Sequence, residues 1–256
     1  MKVRFYANEA KPAARAAARR LAAVAAKAGL SPVDRGGFDA VVVLGGDGTM
    51  LRAVRKFPDA PLLGLNLGGL GYLASVGERD FAKALSMLAK GRFRVSERTL
   101  LRVGGFDALN DVVVMREMTG HAAVLDLAVD GKSATRYMAD GLVVATPTGS
   151  TAYSLSAGGP VLMPDSRSLV VTPMNPHALG VRPVVVSDAV RLRVTSRRRV
   201  NGKEERIGVY ADGEGVLTLG GGESVEIAKS ERVARMVELD GFDPYEVLSR
   251  KLGWSK

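Results

Sequence analysis

Ala40-Val41-Val42-Val43-Leu44-Gly45-Gly46-Asp47-Gly48-Thr49 is the stretch whose reading decides the fold. Five apolar, mostly β-branched residues in a row read as a strand buried on both faces. The glycines that follow free the backbone for positive φ and for close approach to a ligand. Met50, Leu51, Val54 and Phe57 then recur at helical spacing, so a helix is expected over 49–57. A glycine-rich turn thus joins a strand end to a helix start, where N–H groups and the helix dipole favour phosphate. Gly45, Gly46, Gly48 and Thr49 are the candidate phosphate loop. A carboxylate inside such a loop would repel phosphate unless it has chemical work there. Asp47 is therefore the leading candidate for catalysis, expected in a surface loop with little part in packing.

The same alternation extends outward. Lys2–Tyr6 reads as a strand and 11–28 as an Ala-rich helix with Pro12 near its start and Gly29 past its end. Strand 62–66 and helix 79–90, stopped by Gly91, follow. Repeated βα units imply a parallel, Rossmann-like α/β sheet. After Arg92 the pattern changes to short β-rich runs at 92–103, 111–115, 122–130, 134–138, 141–145, 168–172, 183–186, 190–195, 206–211 and 215–219. Gly and Asx turns separate them, which predicts an all-β, sandwich-like antiparallel domain. Ser150–Ala157 reads as a short helix within it. Asp243–Trp254 reads as a final helix, with Asp243 as cap and Pro244 at its first position.

Composition narrows the function. The 256 residues carry a net charge of +9 and no cysteine, which excludes thiol nucleophiles, disulfides and Cys-held zinc or iron–sulfur. Only His121 and His177 offer imidazole, so a multi-histidine metal site is excluded too. No apolar run has membrane-span length and no signal-peptide core opens the chain, so the expected location is cytoplasmic, with no membrane partner. The densest basic cluster, Arg191, Arg193, Arg197, Arg198, Arg199, Lys203 and Arg206, lacks interleaved aromatics and is broken by Glu204 and Glu205. It reads as a solvated hairpin turning at Asn201-Gly202; no nucleic-acid partner is expected.

Two motif imitations are set aside. Gly131-Lys132-Ser133 has Asp126 where a P-loop needs its first glycine, and strands on both flanks, so it reads as a hairpin turn. Gly69-Leu70-Gly71-Tyr72-Leu73-Ala74 lacks the acid that a dinucleotide fingerprint requires about twenty residues on. As a second glycine-rich loop after a strand it belongs on the same sheet edge as 45–49. Thr146-Pro147-Thr148-Gly149-Ser150-Thr151-Ala152-Tyr153-Ser154-Leu155-Ser156 is dense in short donors and acceptors, which suit an adenine edge, a ribose or a carboxamide, and also suit helix caps.

Gly45–Thr49, Gly64-Leu65-Asn66 through Gly71-Tyr72-Leu73, Leu109-Asn110-Asp111, Asp140-Gly141 and the Thr-Pro-Thr-Gly-Ser-Thr-Ala-Tyr-Ser run together resemble the NAD kinase family. The resemblance continues through Pro173-Met174-Asn175-Pro176-His177, Asp212-Gly213-Glu214 and Tyr245–Trp254. It implies an enzyme that phosphorylates the adenosine 2′-hydroxyl of NAD from ATP or polyphosphate, making NADP, with Mg²⁺ carried by the nucleotide rather than by a protein metal site. It implies Asp47 as acid/base at the 2′-hydroxyl, and Gly48 and Tyr72 (for the usual Phe) beside the dinucleotide. Asn110 and Asp111 would hold the ribose in place of an Asn-Glu pair, and Asp140 would meet the carboxamide. Thr151, Ala152, Tyr153 and Ser156 would line the NAD pocket, with His121 near the site and Glu214 in place of a Gln. Met138 stands where many bacterial members carry Arg, which bears on the choice of donor. The resemblance further implies two domains, 1–97 plus 233–256 (α/β, with the C-terminal helix returning to it) and 98–232 (β-rich, NAD-binding). It also implies a homodimer or homotetramer formed through the second. A lipid kinase of the diacylglycerol or sphingosine type and a non-catalytic dinucleotide binder are the competing readings.

Overall fold

A computed structural model describes residues 1–7, 12–68, 71–117, 121–197 and 206–254. The chain divides into two compact units, Met1–Glu97 with Val233–Lys256, and Arg98–Arg232. Its strands are β1 (Lys2–Ala7), β2 (Ser31–Pro32), β3 (Ala40–Leu44), β4 (Pro61–Asn66), β5 (Val76–Gly77), β6 (Phe93–Val103), β7 (Phe106–Ala108), β8 (Asp111–Arg116) and β9 (Ala123–Val129). They continue as β10 (Lys132–Ala139), β11 (Gly141–Ala145), β12 (Ser168–Met174), β13 (Val184–Ser187), β14 (Leu192–Ser196), β15 (Ile207–Ala211), β16 (Glu214–Leu219) and β17 (Ser224–Leu239). The α-helices are α1 (Pro12–Lys27), α2 (Asp47–Lys56), α3 (Phe81–Ala89), α4 (Tyr153–Ser156) and α5 (Pro244–Leu252).

In the first unit the strand order is β17-β4-β3-β1-β2, all parallel, with β5 beside the end of β4. All five residues of β3 are buried, because helices cover both faces. Leu21 and Ala25 of α1 and Leu85 and Leu88 of α3 pack against Val42, Leu44, Leu63 and Leu65. On the other face Phe57, at the end of α2, meets Tyr6 and Phe38 edge-on, with centroids 5.4 and 5.8 Å apart. Helix α5 begins at its expected cap, where Asp243 Oδ1 accepts from the Tyr245 N–H at 2.8 Å; left-handed Gly253 (φ 66°) ends it before Trp254.

The second unit stacks two antiparallel sheets. One runs β10-β9-β14-β17, with β6 and β7 beyond; the other runs β13-β12-β11-β8-β15-β16. Leu125, Leu127, Leu192 and Ile227 from the first interdigitate with Val112, Val114, Val144 and Val171 from the second. Strands β8, β11 and β12 are apolar without alternation because their outer faces are covered as well. There Val113, Val143 and Val170 pack together with Ala157 and Leu162 of the segment after β11. The Asp130-Gly131 turn has positive φ at both residues (48° and 78°), the hairpin expected in place of a P-loop. Asn201-Gly202 and the basic residues Arg198, Arg199 and Lys203 lie outside the described residues, as do Gly69 and Leu70.

Three expectations need correction. Helix α2 starts at Asp47 rather than Thr49, because extended Gly46 serves as its N-cap residue and Gly48 is accommodated in the first turn. The short helix expected over 150–157 is broken at Ala152 (φ −102°, ψ −124°) into a 3₁₀ turn, Gly149–Thr151, and α4. The 16-residue strand β17 is absent from the sequence reading, since the charges at Lys229, Glu231 and Arg232 interrupt its alternation.

Gly64 of β4 shows how closely the site-bearing loop is packed. A Cβ there would lie 2.8 Å from both Ala74 Cα and Leu73 O, and 3.0 Å from Met50 Sδ. Two of these are backbone atoms with little freedom to yield. Gly64→Ala is expected to cost about 1–3 kcal/mol as overpacking, read as a lower urea midpoint; an unchanged midpoint would contradict this packing.

Candidate active site

The chain leaves β3 through Gly45, whose φ of 151° is closed to other residues in practice. A Cβ there would lie 2.4 Å from Thr49 Oγ1. Thr49 is consequently buried beneath the turn, with its hydroxyl accepting from Arg52 Nη2 at 3.4 Å, while Gly46 and Gly48 are exposed. Asp47 occupies the first helical turn, where the dipole favours a carboxylate.

That carboxylate reaches the second glycine-rich loop. Oδ2 accepts from the Tyr72 N–H at 3.0 Å, and Oδ1 from the N–H groups of Leu73 (3.0 Å) and Ala74 (3.2 Å). Gly71 permits the approach, since a Cβ on it would lie 2.2 Å from Asp47 Oδ1. Buried Asn66 holds the loop's two ends: its Oδ1 accepts from the Gly68 N–H at 2.9 Å, and its Nδ2 donates to Ala74 O at 3.2 Å. Asp47 is therefore also a structural anchor, contrary to the expectation that it takes little part in packing. The half-buried Tyr72 hydroxyl is pushed above its usual pKa by burial and by the Asp47 charge. Lys251 Nζ stands 5.7 Å from the centre of its ring.

The second unit carries a matching arrangement. Asp212, in the left-handed region (φ 49°) of the β15–β16 turn, accepts from the N–H groups of Leu109 (2.9 Å), Asn110 (2.7 Å) and Asp111 (3.2 Å). From the other side, Thr146 Oγ1 donates to Leu109 O at 2.5 Å and the Thr146 N–H donates to Asn110 O at 2.9 Å. Gly149 lies against the same backbone: a Cβ on it would sit 1.9 Å from Asn110 O. Asp111 is buried, and burial, then the Asp212 charge, push its carboxyl up to about 7.

The hydroxyl-rich run divides by position. Thr146, Ser150 and Ser154, four residues apart, are fully buried. Ser150 Oγ donates to Pro147 O (2.7 Å) and accepts from the Leu162 N–H (2.9 Å), and Ser154 pairs with Thr172 at 2.8 Å. These serve the fold. Thr151 and Ala152 are partly exposed, and Tyr153 and Ser156 are exposed.

Asp140 is engaged on both oxygens. Oδ1 accepts from Arg116 Nε (2.8 Å), with Arg116 Nη2 at 2.6 Å, and Oδ2 accepts from Asn175 Nδ2 (2.9 Å). The Asn175 hydrogen bond, then the bond and charge of Arg116, hold its carboxyl below the usual range against the opposing effect of burial. Exposed His121, just before β9, lines a shallow cavity with Arg116, Met138, Asp140 and His177. Glu214 opens β16, exposed, two residues after Asp212. Within the first unit the structure thus gathers Gly45–Thr49 with Tyr72. Within the second it gathers Asn110, Asp111 and the start of the hydroxyl run, and separately His121 with Asp140.

The sequence motifs contain Asp212, Asn175 and Thr146 without giving any of them a role of its own, and Arg116 lies outside every motif. Asp212 and Asn175 did carry a signal, an Asx residue at a turn, where left-handed φ is tolerated. Among the described residues no group of three His, Asp or Glu side chains is arranged to cage a metal, and no helix is long and apolar enough to cross a membrane.

Comparison with known proteins bears on this arrangement. Residues 5–93 match the model of the ATP-NAD kinase N-terminal domain, and 109–239 that of the ATP-NAD kinase C-terminal domain. The NAD kinase of Syntrophotalea carbinolica is 38% identical over 238 residues, 87% of this chain and 82% of that protein. That of Geotalea daltonii is 40% identical over 229 residues, covering 85% and 79%. Among solved structures, yeast NADH kinase complexed with NADH shares the fold at a TM-score of 0.87 and 24% identity, covering 100% of this chain and 88% of that one. An NAD kinase from Archaeoglobus fulgidus in complex with ATP aligns at 0.80 and 25% identity, covering 99% and 98%. With both domain models matched in order, and relatives near 40% identity along most of its length, the chain belongs to the ATP-NAD kinase family.

Proposed function

We propose that the chain moves the γ-phosphoryl group of Mg²⁺-bound ATP onto the 2′-hydroxyl of the adenosine ribose of NAD. The observation that carries this reading is the state of Asp47. An ionised carboxylate has about four lone-pair positions, and three are taken by the loop N–H groups. One remains for a ribose hydroxyl, and the other three bonds fix its direction. The 2′-oxygen forms a bond to the γ-phosphorus as the bond to the β-bridging oxygen breaks, and ADP leaves. The hydroxyl proton passes to Asp47 and from there to solvent. Removing that proton in the transition state is general-base catalysis; the rest of the acceleration comes from alignment and from charge neutralisation by the nucleotide's own metal. Exposed Gly46 and Gly48 leave the start of α2 open to donor phosphates, and buried Thr49 supports the turn from below.

In the same reading Gly48 and Tyr72 flank the dinucleotide, Asn110 and Asp111 hold the ribose, and Thr151, Ala152, Tyr153 and Ser156 line the NAD pocket. Asp140, with three lone-pair positions occupied, has one left for the carboxamide N–H. His121 and Glu214 lie at the margin. Polyphosphate is the alternative donor, and exposed Met138 beside Arg116 and His177 is where donor preference would be read. Assembly as a homodimer or homotetramer through 98–232, and a cytoplasmic location, are proposed on the family resemblance. The lipid-kinase and non-catalytic readings are dropped in favour of the family the domain models identify.

Asp47→Asn tests the chemistry. The amide keeps an oxygen for the Leu73 and Ala74 N–H groups but cannot take the proton. NADP formation from NAD and ATP–Mg²⁺ should fall by about 10²–10⁴-fold in kcat. Loss of the Tyr72 bond to a charged acceptor should lower stability by about 1–3 kcal/mol. Near-native kcat would show the mechanism to be wrong. The hydroxyl run supplies a second test. Ser156→Ala should raise the NAD KM by up to roughly tenfold and leave the melting temperature unchanged, whereas Ser154→Ala, which orphans the buried Thr172 hydroxyl, should lower the melting temperature. An unmoved NAD KM in Ser156→Ala would remove Ser156 from the pocket.

A further inference from the structure

We propose that Asp212 is a positioning residue for the Asn110-Asp111 pair, holding the backbone from which both side chains reach the ribose. The inference rests on the ribose role assigned to that pair above.

Leu109 and Asn110 precede β8 and Asp111 begins it, so the three N–H groups need acceptors where the ladder is only starting. The Asp212 carboxylate takes all three, at 2.9, 2.7 and 3.2 Å. A charged acceptor makes each bond stronger than a neutral one. The return contact, the Asp212 N–H donating to Asp111 O at 3.0 Å, closes the clamp. Thr146 and Gly149 block the opposite side of Asn110. The segment therefore has one position, set by a side chain that is not itself in the ribose-binding pair. Asp130 provides an internal comparison. It is another left-handed Asp in an Asp-Gly hairpin (φ 48°), but among the described residues its carboxylate accepts only from the Arg191 N–H, at 2.8 Å. Three donors instead of one exceed what the turn alone requires.

Asp212 also acts on Asp111 electrostatically. The strands beside β8 place Ala145 and Ala211 next to the start of β8. Asp212 is the charged group that raises the Asp111 carboxyl, after burial. Asp111 accepts a ribose hydroxyl best when ionised, so NAD should bind more tightly as pH rises through about 7. Removing the Asp212 charge should move that change to lower pH.

The test uses Asp212→Asn and Asp212→Gly. Asn and Gly both accept left-handed φ, so the turn keeps its backbone; Asn keeps one acceptor oxygen and Gly keeps none. NAD dissociation constants are read by calorimetry from pH 6 to 8, alongside Asp130→Asn. The expected result is an NAD Kd raised by about tenfold in Asp212→Asn and more in Asp212→Gly. The ATP KM and the Asp130→Asn constants should be unchanged, and the pH midpoint lowered in both Asp212 variants. A Kd within twofold of wild type, a midpoint that does not move, or an equal loss in Asp130→Asn would overturn the proposal. A wild-type protein that binds NAD but forms no NADP would instead count against the function proposed above.

Discussion

A carboxylate closing on consecutive backbone N–H groups is the interaction on which both candidate sites depend. Asp47 gathers the N–H groups of Tyr72, Leu73 and Ala74 in one unit, and Asp212 gathers those of Leu109, Asn110 and Asp111 in the other. Successive N–H groups pointing the same way form an electropositive hollow that needs an anion or water. Filling it with a side chain fixes a loop that neither sheet nor helix would hold. The glycines are the counterpart: Gly71 and Gly149 lie where a Cβ would occupy the space of Asp47 Oδ1 and of Asn110 O. The glycine-rich motifs are thus as much about these approaches as about room for phosphate.

This explains what could be read in the sequence and what could not. The limits of β3 and β11 were legible to the residue, because a short buried apolar run that starts just after an aspartate and stops at a glycine or a Thr-Pro is written in local composition. So was the cap of α5. Strand β17 was not, because it changes partners along its length. Ser224–Ile227 pair with β14, Arg235 and Met236 with β4, and the charged stretch between hides the alternation. In the site, Asp47 stood out as an acid where phosphate was expected, but its hold on residues 72–74 is a contact across 25 positions or more of sequence. The hydroxyl run was legible as a whole and not in its parts. A four-residue period buries Thr146, Ser150 and Ser154, and only burial separates them from Ser156.

The excess positive charge takes a plain form. Of the basic cluster at 191–206, the described members are matched to carboxylates: Arg191 and Arg193 to Glu226, Arg197 to Asp126, and Arg206 to Glu117. Pairs this exposed contribute little stability. They do lower the field that a nucleic-acid backbone would meet, in keeping with small polyanions as the ligands of a basic chain.

The identity of the enzyme's reaction turns on which hydroxyl receives the phosphoryl group. The direct measurement is to incubate the protein with NAD and ATP–Mg²⁺, isolate the dinucleotide product, and locate its new phosphate by phosphorus–proton correlation in the NMR spectrum. One product is expected, phosphorylated at the adenosine 2′-oxygen, with one ADP formed for each. A phosphate at any other hydroxyl, or ADP released without a phosphorylated dinucleotide, would contradict this reaction.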